Sequence, residues 1–214
     1  MPTTETAIKS VAELEEIYDR PSWSALAGET NSLIAPYQAL IEAAPYLTLA
    51  TVGVDEIDCS PRGDAPGFVR IVDAKTLLIP NRNGNNRIES LRNIVRDPRV
   101  ALHFLIPGYG ESLRVKGRAI VSADPALTSS FDVNGNRPRT VIVVTVERVY
   151  FHCAKAINRS KLWDSSQHAH QRRLPSVNGM LAATQWHRCL ATTKGSRDVL
   201  ADIREKTSDV RFRG

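Results

Sequence analysis

Hydrophobic and polar residues alternate in several short stretches between residues 46 and 151, and this period of two is typical of β-strands. Residues 100–106 are apolar almost throughout, which predicts a strand in the interior of a sheet. Short turns rich in Gly, Asp and Pro separate the stretches. The pattern predicts six strands, the second interrupted by a turn-like segment: residues 46–52, 57–72, 76–79, 100–106, 112–121 and 140–151.

Apolar residues spaced three and four positions apart predict helices in the remaining segments. Ser10 is placed to cap the first helix, with Glu13 as its partner in a capping box. Only one clear helix lies between predicted strands, so the chain lacks the repeated βαβ units of a parallel sheet and a small antiparallel barrel is predicted instead. The predicted helices are residues 10–18, 31–44, 86–95, 154–163 and 199–206, with a short helix or loop at 123–131.

The helix predicted at residue 86 follows a strand and a polar loop. Pro80 is predicted to end that strand, because proline has no N–H to donate to a sheet. The Asn-Gly-Asn sequence at residues 83–85 tolerates positive φ. Asn86 is the predicted N-cap, with Glu89 as its capping-box partner. The apolar face of the helix is predicted to comprise Ile88, Leu91, Ile94 and Val95.

Two arginines, Arg82 and Arg87, flank this predicted helix N-terminus. The first turn of a helix presents N–H groups without intrahelical partners, and these bind phosphate readily. Guanidinium groups beside them add charge-assisted hydrogen bonds. The segment therefore predicts a site for a phosphate-bearing ligand. The alternative is a polar connection that leads into an ordinary surface helix.

A second candidate segment is residues 59–64, which lie beside a predicted strand. Ser60 and Arg62 supply hydrogen-bond donors, and Gly63 allows a ligand to approach the backbone closely. These residue types are suited to a polar ligand. The alternative interpretation is a charged turn with no ligand.

A third candidate segment is the helix predicted after the last strand. Lys155, Arg159 and Trp163 are four residues apart, which would place them on one face of that helix. Two cations and an aromatic ring on one face suit a flat anionic ligand. The alternative is a solvated basic helix with Trp163 packed into the core.

The formal net charge of +5 is concentrated near the C-terminus. Residues 165–214 carry nine basic and four acidic residues, whereas residues 1–164 carry nineteen of each sign. A local cluster of eight basic and three acidic residues at 80–118 fits a small anionic ligand better than an extended track for nucleic acid. A nucleic-acid partner that uses the basic C-terminal segment is therefore the least favoured hypothesis.

The cysteines and the lack of long apolar runs predict that the protein is cytoplasmic. Cys59, Cys153 and Cys189 are odd in number and far apart, which is typical of reduced thiols in a cytoplasmic protein. No apolar run is long enough to cross a membrane, and residues 1–16 do not have the pattern of a signal peptide. A cytoplasmic location without membrane association is expected.

Metal binding and nucleophilic catalysis are weakly supported by the sequence. The His and Cys residues at 168–170 and 187–189 match no strong zinc spacing, so no metal site is predicted. Cys153 follows His152 directly, but adjacent residues of a strand point to opposite faces. The sequence contains no Walker motif, dinucleotide-binding glycine fingerprint or nucleophile elbow.

Eight short segments follow one another along the chain: residues 59–64, 67–69, 78–80, 84–87, 90–94, 98–100, 113–119 and 151–155. Taken in order, these segments resemble the pyridoxamine 5′-phosphate oxidase-like family of FMN-binding split barrels. The resemblance extends over about residues 46–163 and implies a six-stranded antiparallel Greek-key split barrel with flanking helices. It also implies a homodimer with FMN at the dimer interface.

The resemblance also implies roles for individual residues. The FMN phosphate would be held by Arg62, Asn86 and Arg87. The ribityl chain and the flavin edge would be lined by Ser60, Ile79, Pro80 and Arg82. Further contributions would come from Arg114 in the same pocket and, from the partner subunit, from Lys155, Arg159 and Trp163.

The function implied by the resemblance is an FMN-dependent oxidoreductase that acts on a small molecule. The C-terminal arginine-and-histidine signature of true pyridoxamine phosphate oxidases is echoed only weakly at residues 172–175, so the resemblance does not extend to that substrate. The alternatives are a non-catalytic flavin-binding or sensing protein, or a relative that binds deazaflavin or haem. The predicted segments are an N-terminal helical extension (1–45), the FMN-binding domain (46–164) and a basic C-terminal extension (165–214).

Overall fold

The computed structural model of the chain describes residues 6–168 and 174–192. The chain divides into two compact units, Met1–Trp163 and Asp164–Gly214. The described helices of the first unit are α1 (Val11–Ile17), α2 (Trp23–Ala27), α3 (Ala35–Ala43), α4 (Glu89–Arg96), α5 (Pro125–Ser130) and α6 (Lys155–Ser160). Its described strands are β1 (Tyr46–Val52), β2 (Ile57–Gly63), β3 (Arg70–Asp73), β4 (Thr76–Asn81), β5 (Arg99–Leu105), β6 (Ser112–Ser122) and β7 (Thr140–His152).

The strands form one antiparallel sheet in the order β2-β1-β5-β6-β7-β4-β3. The predicted fold class, mainly β and antiparallel with flanking helices, is therefore confirmed. The strand predicted as interior is β5, which lies between β1 and β6. Inward-facing apolar residues of most strands, together with α3 and α4, form the main core.

The prediction of six strands is wrong, because the segment treated as one interrupted strand forms two. β2 and β3 lie at opposite edges of the sheet. Pro61 does not interrupt β2, since β2 pairs only with β1 and an edge strand tolerates a residue without an N–H. Residues 64–69 carry the chain from one edge of the sheet to the other.

The prediction that Pro80 ends its strand is also wrong. β4 continues to Asn81, and Pro80 pairs with Val141 of β7. On the other side of β4, the pairing with β3 involves only residues 76–78. Pro80 therefore lies beyond the end of β3, where no strand on that side requires its missing N–H.

The N-terminal helices follow the predicted capping but not all the predicted bounds. The Ser10 hydroxyl accepts a hydrogen bond from the Glu13 N–H, which confirms Ser10 as the N-cap. The Glu13 carboxylate accepts from the N–H of Lys9 and not from that of Ser10, so the predicted capping box is only half formed. α3 begins at Ala35 rather than residue 31, with Pro36 in its first turn, the position that proline favours. The short helix α2 was not predicted, because its five residues are too few to show a helical period.

The helix predicted at 154–163 is shorter than expected. α6 ends at Ser160, and Lys161 has a left-handed conformation with φ of 51°. Trp163 therefore lies outside α6, and the prediction that it shares a helix face with Lys155 and Arg159 is wrong. The Trp163 indole instead donates to the carbonyl of Tyr109 at 2.8 Å.

The alternation predicted for β6 is confirmed. Leu113, Val115 and Ala119 are buried, whereas Lys116 and Arg118 on the opposite face are exposed. The short helix predicted at 123–131 corresponds to α5, whose N-cap Asp124 accepts hydrogen bonds from two first-turn N–H groups.

The described part of the second unit contains a 3₁₀ turn, Ser165–Gln167, and the helix α7, Val177–Thr192. The helix predicted at 199–206 and residues 172–173 lie outside the described residues. Within residues 6–168 and 174–192, no helix combines the length and apolar character that crossing a membrane requires.

Candidate functional site

The start of α4 differs from the predicted helix start. The helix begins at Glu89, and Ile88, not Asn86, occupies the N-cap position. Asn86 and Ile88 have positive φ values of 57° and 47°, so the helix cannot extend back through them. The predicted N-cap is therefore wrong, and α4 has no side-chain cap.

The buried face of α4 is also more polar than predicted. Ile88 and Val95 are exposed, and the buried residues are Ser90, Asn93 and Ile94. The predicted face is therefore wrong at its two ends: Ile88 lies before the helix at its N-cap, and Val95 lies on the exposed side. Buried polar side chains require partners, and those of α4 find them in the neighbouring strands.

Two hydrogen bonds attach α4 to the sheet. Ser90 Oγ donates to Asp58 Oδ2 of β2 at 2.8 Å. Asn93 Nδ2 donates to Thr51 Oγ1 of β1 at 3.1 Å. These contacts fix the helix beside the edge of the sheet formed by β1 and β2.

The end of β2 is joined to the end of β4 by Arg82. Its Nε lies 2.7 Å from Asp64 Oδ2, and its Nη1 donates to the carbonyl of Phe131 at 2.7 Å. β2 is an edge strand and β4 lies near the opposite edge, so the sheet curls until these two strand ends meet.

A cleft of about 730 Å³ lies between these elements. It is formed by β2, the end of β4, the loop before α4, the first turn of α4 and the start of β7. Its volume is within the range of small-molecule and cofactor sites. Six residues predicted as cofactor contacts line it: Ser60, Arg62, Pro80, Arg82, Asn86 and Arg87.

Eight polar residues of the cleft were not among the predicted contacts: Asp58, Asn81, Asn83, Asn85, Glu89, Ser90, Arg139 and Thr140. Asp58 directly precedes the candidate segment 59–64, and Ser90 lies in the predicted helix at a position that carries no local sign of a ligand. Thr140 reaches the cleft through its pairing with Asn81, at the start of a strand distant in sequence. The local spacing of residues does not reveal such long-range pairing. Asp58 could have been found, because alternation along β2 places it on the same face as Ser60 and Arg62.

Five predicted contacts are not among the residues that line the cleft: Ile79, Arg114, Lys155, Arg159 and Trp163. The side chain of Ile79 is fully buried in the core. The Arg114 guanidinium carbon lies 6.0 Å from the centre of the Tyr150 ring. The roles predicted for these five residues remain predictions.

Two buried polar atoms of cleft residues have no hydrogen-bond partner among the described residues. They are Arg62 Nε and Thr140 Oγ1. Arg62 Nη1 donates to the carbonyl of Pro61 at 2.8 Å, which leaves the Nε–H for another acceptor. Burial lowers the pKa of Arg62 from its ordinary value, and the nearby Asp58 charge opposes that shift. A buried donor without a partner is costly, so these atoms indicate that the cleft is built for a polar ligand.

The carboxylate of Asp58 is held ionised by its neighbours. Burial alone would raise its pKa, but hydrogen bonds from Ser60 and Ser90, the backbone N–H of Cys59 and the charge of Arg62 lower it below its ordinary value. Ser60 Oγ and Ser90 Oγ each donate to the same oxygen, Oδ2, at 2.8 Å.

The other arginines of the cleft differ in their freedom to bind an anion. Arg82 is paired with Asp64, and Arg87 is paired with Glu89 at 2.9 Å. Arg139 is exposed and, within the part of the chain that the structure describes, forms no ion pair. Arg62 and Arg139 are therefore the cations of the cleft best placed to accept an anionic ligand without first breaking an ion pair.

Comparison with protein families gives a match to the family model described as pyridoxamine 5′-phosphate oxidase, over residues 33–153. This range includes all seven strands and every residue that lines the cleft. No protein with a curated description matches the sequence significantly.

The solved structures with similar folds include three from bacteria. A HupZ variant from Group A Streptococcus is 18% identical, with a TM-score of 0.47 over 56% of this chain and 98% of that chain. A Lactobacillus delbrueckii protein, provisionally assigned as a pyridoxamine 5′-phosphate oxidase, is 24% identical, with a TM-score of 0.45 over 56% and 95%. The FAD binding protein of Mycobacterium smegmatis is 13% identical, with a TM-score of 0.38 over 56% and 97%.

Proposed function

Because the chain belongs to the pyridoxamine 5′-phosphate oxidase family, we propose that it binds FMN in the cleft and acts as a flavin-dependent oxidoreductase on a small molecule. The observation that carries the proposal is the buried Nε–H of Arg62, which has no acceptor among the described residues. A phosphate oxygen of FMN supplies such an acceptor.

The residues of the cleft fit a flavin mononucleotide in charge and hydrogen-bonding capacity. Arg62 and Arg139 supply positive charge for the phosphate, and the uncapped first turn of α4 adds N–H groups. The Thr140 hydroxyl is the second group without a partner, and it is suited to a phosphate oxygen or a ribityl hydroxyl.

The contributions of Arg82 and Arg87 differ. Hydrogen bonds to Asp64 and to the carbonyl of Phe131 hold the Arg82 side chain in place, so it forms a fixed part of the cleft wall. Arg87 is exposed, and it must leave Glu89 before it can bind a phosphate. Asn86 lies between them with positive φ, which directs the loop away from a helical path.

Bound flavin would supply the redox chemistry, whereas the chain binds and orients it. Arg62 and the first turn of α4 would fix the phosphate end, and the rigid Arg82 would limit movement of the remainder. No nucleophilic side chain is required for this role.

We also propose that the protein functions as a homodimer. Lys155, Arg159 and Trp163 are not among the residues that line the cleft of their own chain. If they contact the cofactor as predicted, they do so in the cleft of a second copy. An equilibrium sedimentation measurement that shows a monomer in the presence of FMN would contradict this part of the proposal.

The proposal is tested by titrating the purified protein with FMN, riboflavin and FAD, followed by anaerobic reduction of the complex with NADH or NADPH. We expect tight binding of FMN, weaker binding of riboflavin and reduction of the bound flavin. Binding without reduction by these donors or turnover of any tested acceptor would favour the non-catalytic flavin-binding alternative. Preferential binding of deazaflavin or haem would contradict the assignment of FMN.

A further inference from the structure

Asp58 is a carboxylate in a cleft that is otherwise suited to an anion. Its Oδ2 accepts one hydrogen bond from Ser60 on the same strand and one from Ser90 in the first turn of α4. Asp58 and Ser90 are 32 positions apart in the sequence. The contact therefore joins the edge strand β2 directly to the start of the helix.

The start of α4 has little else to hold it. Ile88 provides no side-chain cap, and residues 83–88 are exposed. The other side-chain hydrogen bond between α4 and the sheet, from Asn93 to Thr51, lies one turn further along the helix. The contact with Asp58 thus sets the position of the N–H groups that open into the cleft.

The negative charge of Asp58 is largely compensated. Arg62 lies close enough for the two charges to influence each other's pKa, and two hydroxyl groups donate to one carboxylate oxygen. Ser60 and Ser90 each have one hydroxyl proton, and both protons are directed to Asp58. Their oxygens are then acceptors only, so an anion in this cleft must rely on the arginines, Thr140 and the helix N–H groups.

We propose that Asp58 is a positioning residue that holds the first turn of α4 in place for the phosphate of the ligand. This inference rests on the proposed function, because it concerns the same cleft and the same ligand. Asp58 acts through Ser90 and does not itself contact the phosphate.

The experiment compares FMN with riboflavin, which lacks the phosphate, in the wild type and in Asp58→Ala, Asp58→Asn and Ser90→Ala. We expect Asp58→Ala and Ser90→Ala to weaken FMN binding about tenfold or more, with riboflavin binding changed by less than about twofold. Asp58→Asn retains an acceptor oxygen, so it should restore part of the loss. The double variant Asp58→Ala/Ser90→Ala should lose no more than the greater single loss, because both remove the same hydrogen bond.

Asp73 provides the matched control. Its carboxylate also accepts from a hydroxyl, Thr76 Oγ1 at 3.1 Å, and from a backbone N–H, that of Lys75 at 2.6 Å, but it lies outside the cleft. Asp73→Ala should leave the affinities for FMN and riboflavin unchanged. Amide hydrogen exchange should accelerate across α4 in Asp58→Ala and Ser90→Ala, and remain unchanged there in Asp73→Ala.

Each other outcome has a defined meaning. An equal loss of FMN and riboflavin affinity would assign Asp58 a general structural role and overturn the inference. Unchanged or tighter FMN binding in Asp58→Ala would also overturn the inference, because the Asp58 carboxylate would then do no more than repel the phosphate. If the wild type does not prefer FMN to riboflavin, the proposed phosphate site fails, and this inference fails with it.

Discussion

Arg82 Nε lies 2.7 Å from Asp64 Oδ2, and this contact joins the residue after β4 to the residue after β2. The same guanidinium group donates to the carbonyl of Phe131. One side chain therefore connects three segments that are distant in sequence, and it does so at the wall of the cleft. The curl of the sheet brings these segments together, and Arg82 fixes them there.

We predict that Arg82→Ala lowers the free energy of unfolding by about 1–2 kcal/mol, because it removes hydrogen bonds to a carboxylate and to a carbonyl. Asp64→Asn should cost less, about 0–1 kcal/mol, since the ion pair is partly exposed and the bond to Phe131 remains. Urea unfolding of both variants measures the difference. A loss in Asp64→Asn as large as that in Arg82→Ala would contradict the role given to the Phe131 carbonyl.

Arg62 and Arg87 are predicted to contribute unequally to FMN binding. Arg62→Ala should weaken binding about 10- to 100-fold, because it removes a buried donor that has no other partner. Arg87→Ala should have a smaller effect, since Arg87 is exposed and already paired with Glu89. Fluorescence titration with FMN measures both.

Glu89→Gln serves as the complementary variant to Arg87→Ala. It removes the ion pair and a negative charge at the start of α4, so FMN binding should become tighter by about two- to fivefold. Weaker binding in Glu89→Gln, or a greater loss in Arg87→Ala than in Arg62→Ala, would place the phosphate beside Arg87 instead.

The sequence predicted those parts of the fold that depend on local pattern. The alternation of β6 and the N-cap at Ser10 were predicted correctly, because each depends on residues a few positions apart. The errors at Pro80 and Pro61 arose because a sheet tolerates proline only where no neighbouring strand needs its missing N–H group. Nothing in the local sequence specifies that neighbour.

The same distinction applies to the cleft. Ser60, Arg62 and Arg87 were identified from their chemistry beside a turn, and all three line it. Thr140 was missed because only its pairing with Asn81 brings it there. The start of α4 was predicted too early in the sequence. Positive φ was expected only at residues 83–85, but Asn86 and Ile88, which follow them, also have positive φ.

Gly117 should be intolerant of any side chain. A Cβ at this position would lie 2.1 Å from the backbone oxygen of Thr145, at the irregularity in the pairing of β6 and β7. Gly117→Ala should therefore lower the free energy of unfolding by about 3 kcal/mol or more. Gly84→Ala is the control, since a Cβ there meets nothing within 4 Å. Equal stability of the two variants in urea would contradict the close approach at Gly117.

His103 should make stability depend on pH near neutrality. Burial lowers its pKa below the ordinary value of 6.5, and the charges of Arg114 and His152 lower it further. A group with a depressed pKa in the folded state binds more protons when unfolded, so its contribution to stability is lost as the pH falls through and below about 6.5.

The matched variant is His103→Gln, which retains a group able to bond Ser112 Oγ, 2.8 Å from His103 Nε2. Between about pH 7.5 and pH 5.5, the wild type should lose more stability than His103→Gln. Urea unfolding across this range measures, for each protein, the slope of the free energy of unfolding against pH. Identical slopes would mean that His103 does not contribute to the pH dependence.

The most direct test of the central claim is a crystal structure of the protein grown with excess FMN. The account predicts the phosphate in the cleft between β2 and α4, with one of its oxygens accepting a hydrogen bond from Arg62 Nε. Flavin bound with its phosphate elsewhere, or a cleft that stays without flavin while Arg62 Nε finds a partner within the protein, would contradict it.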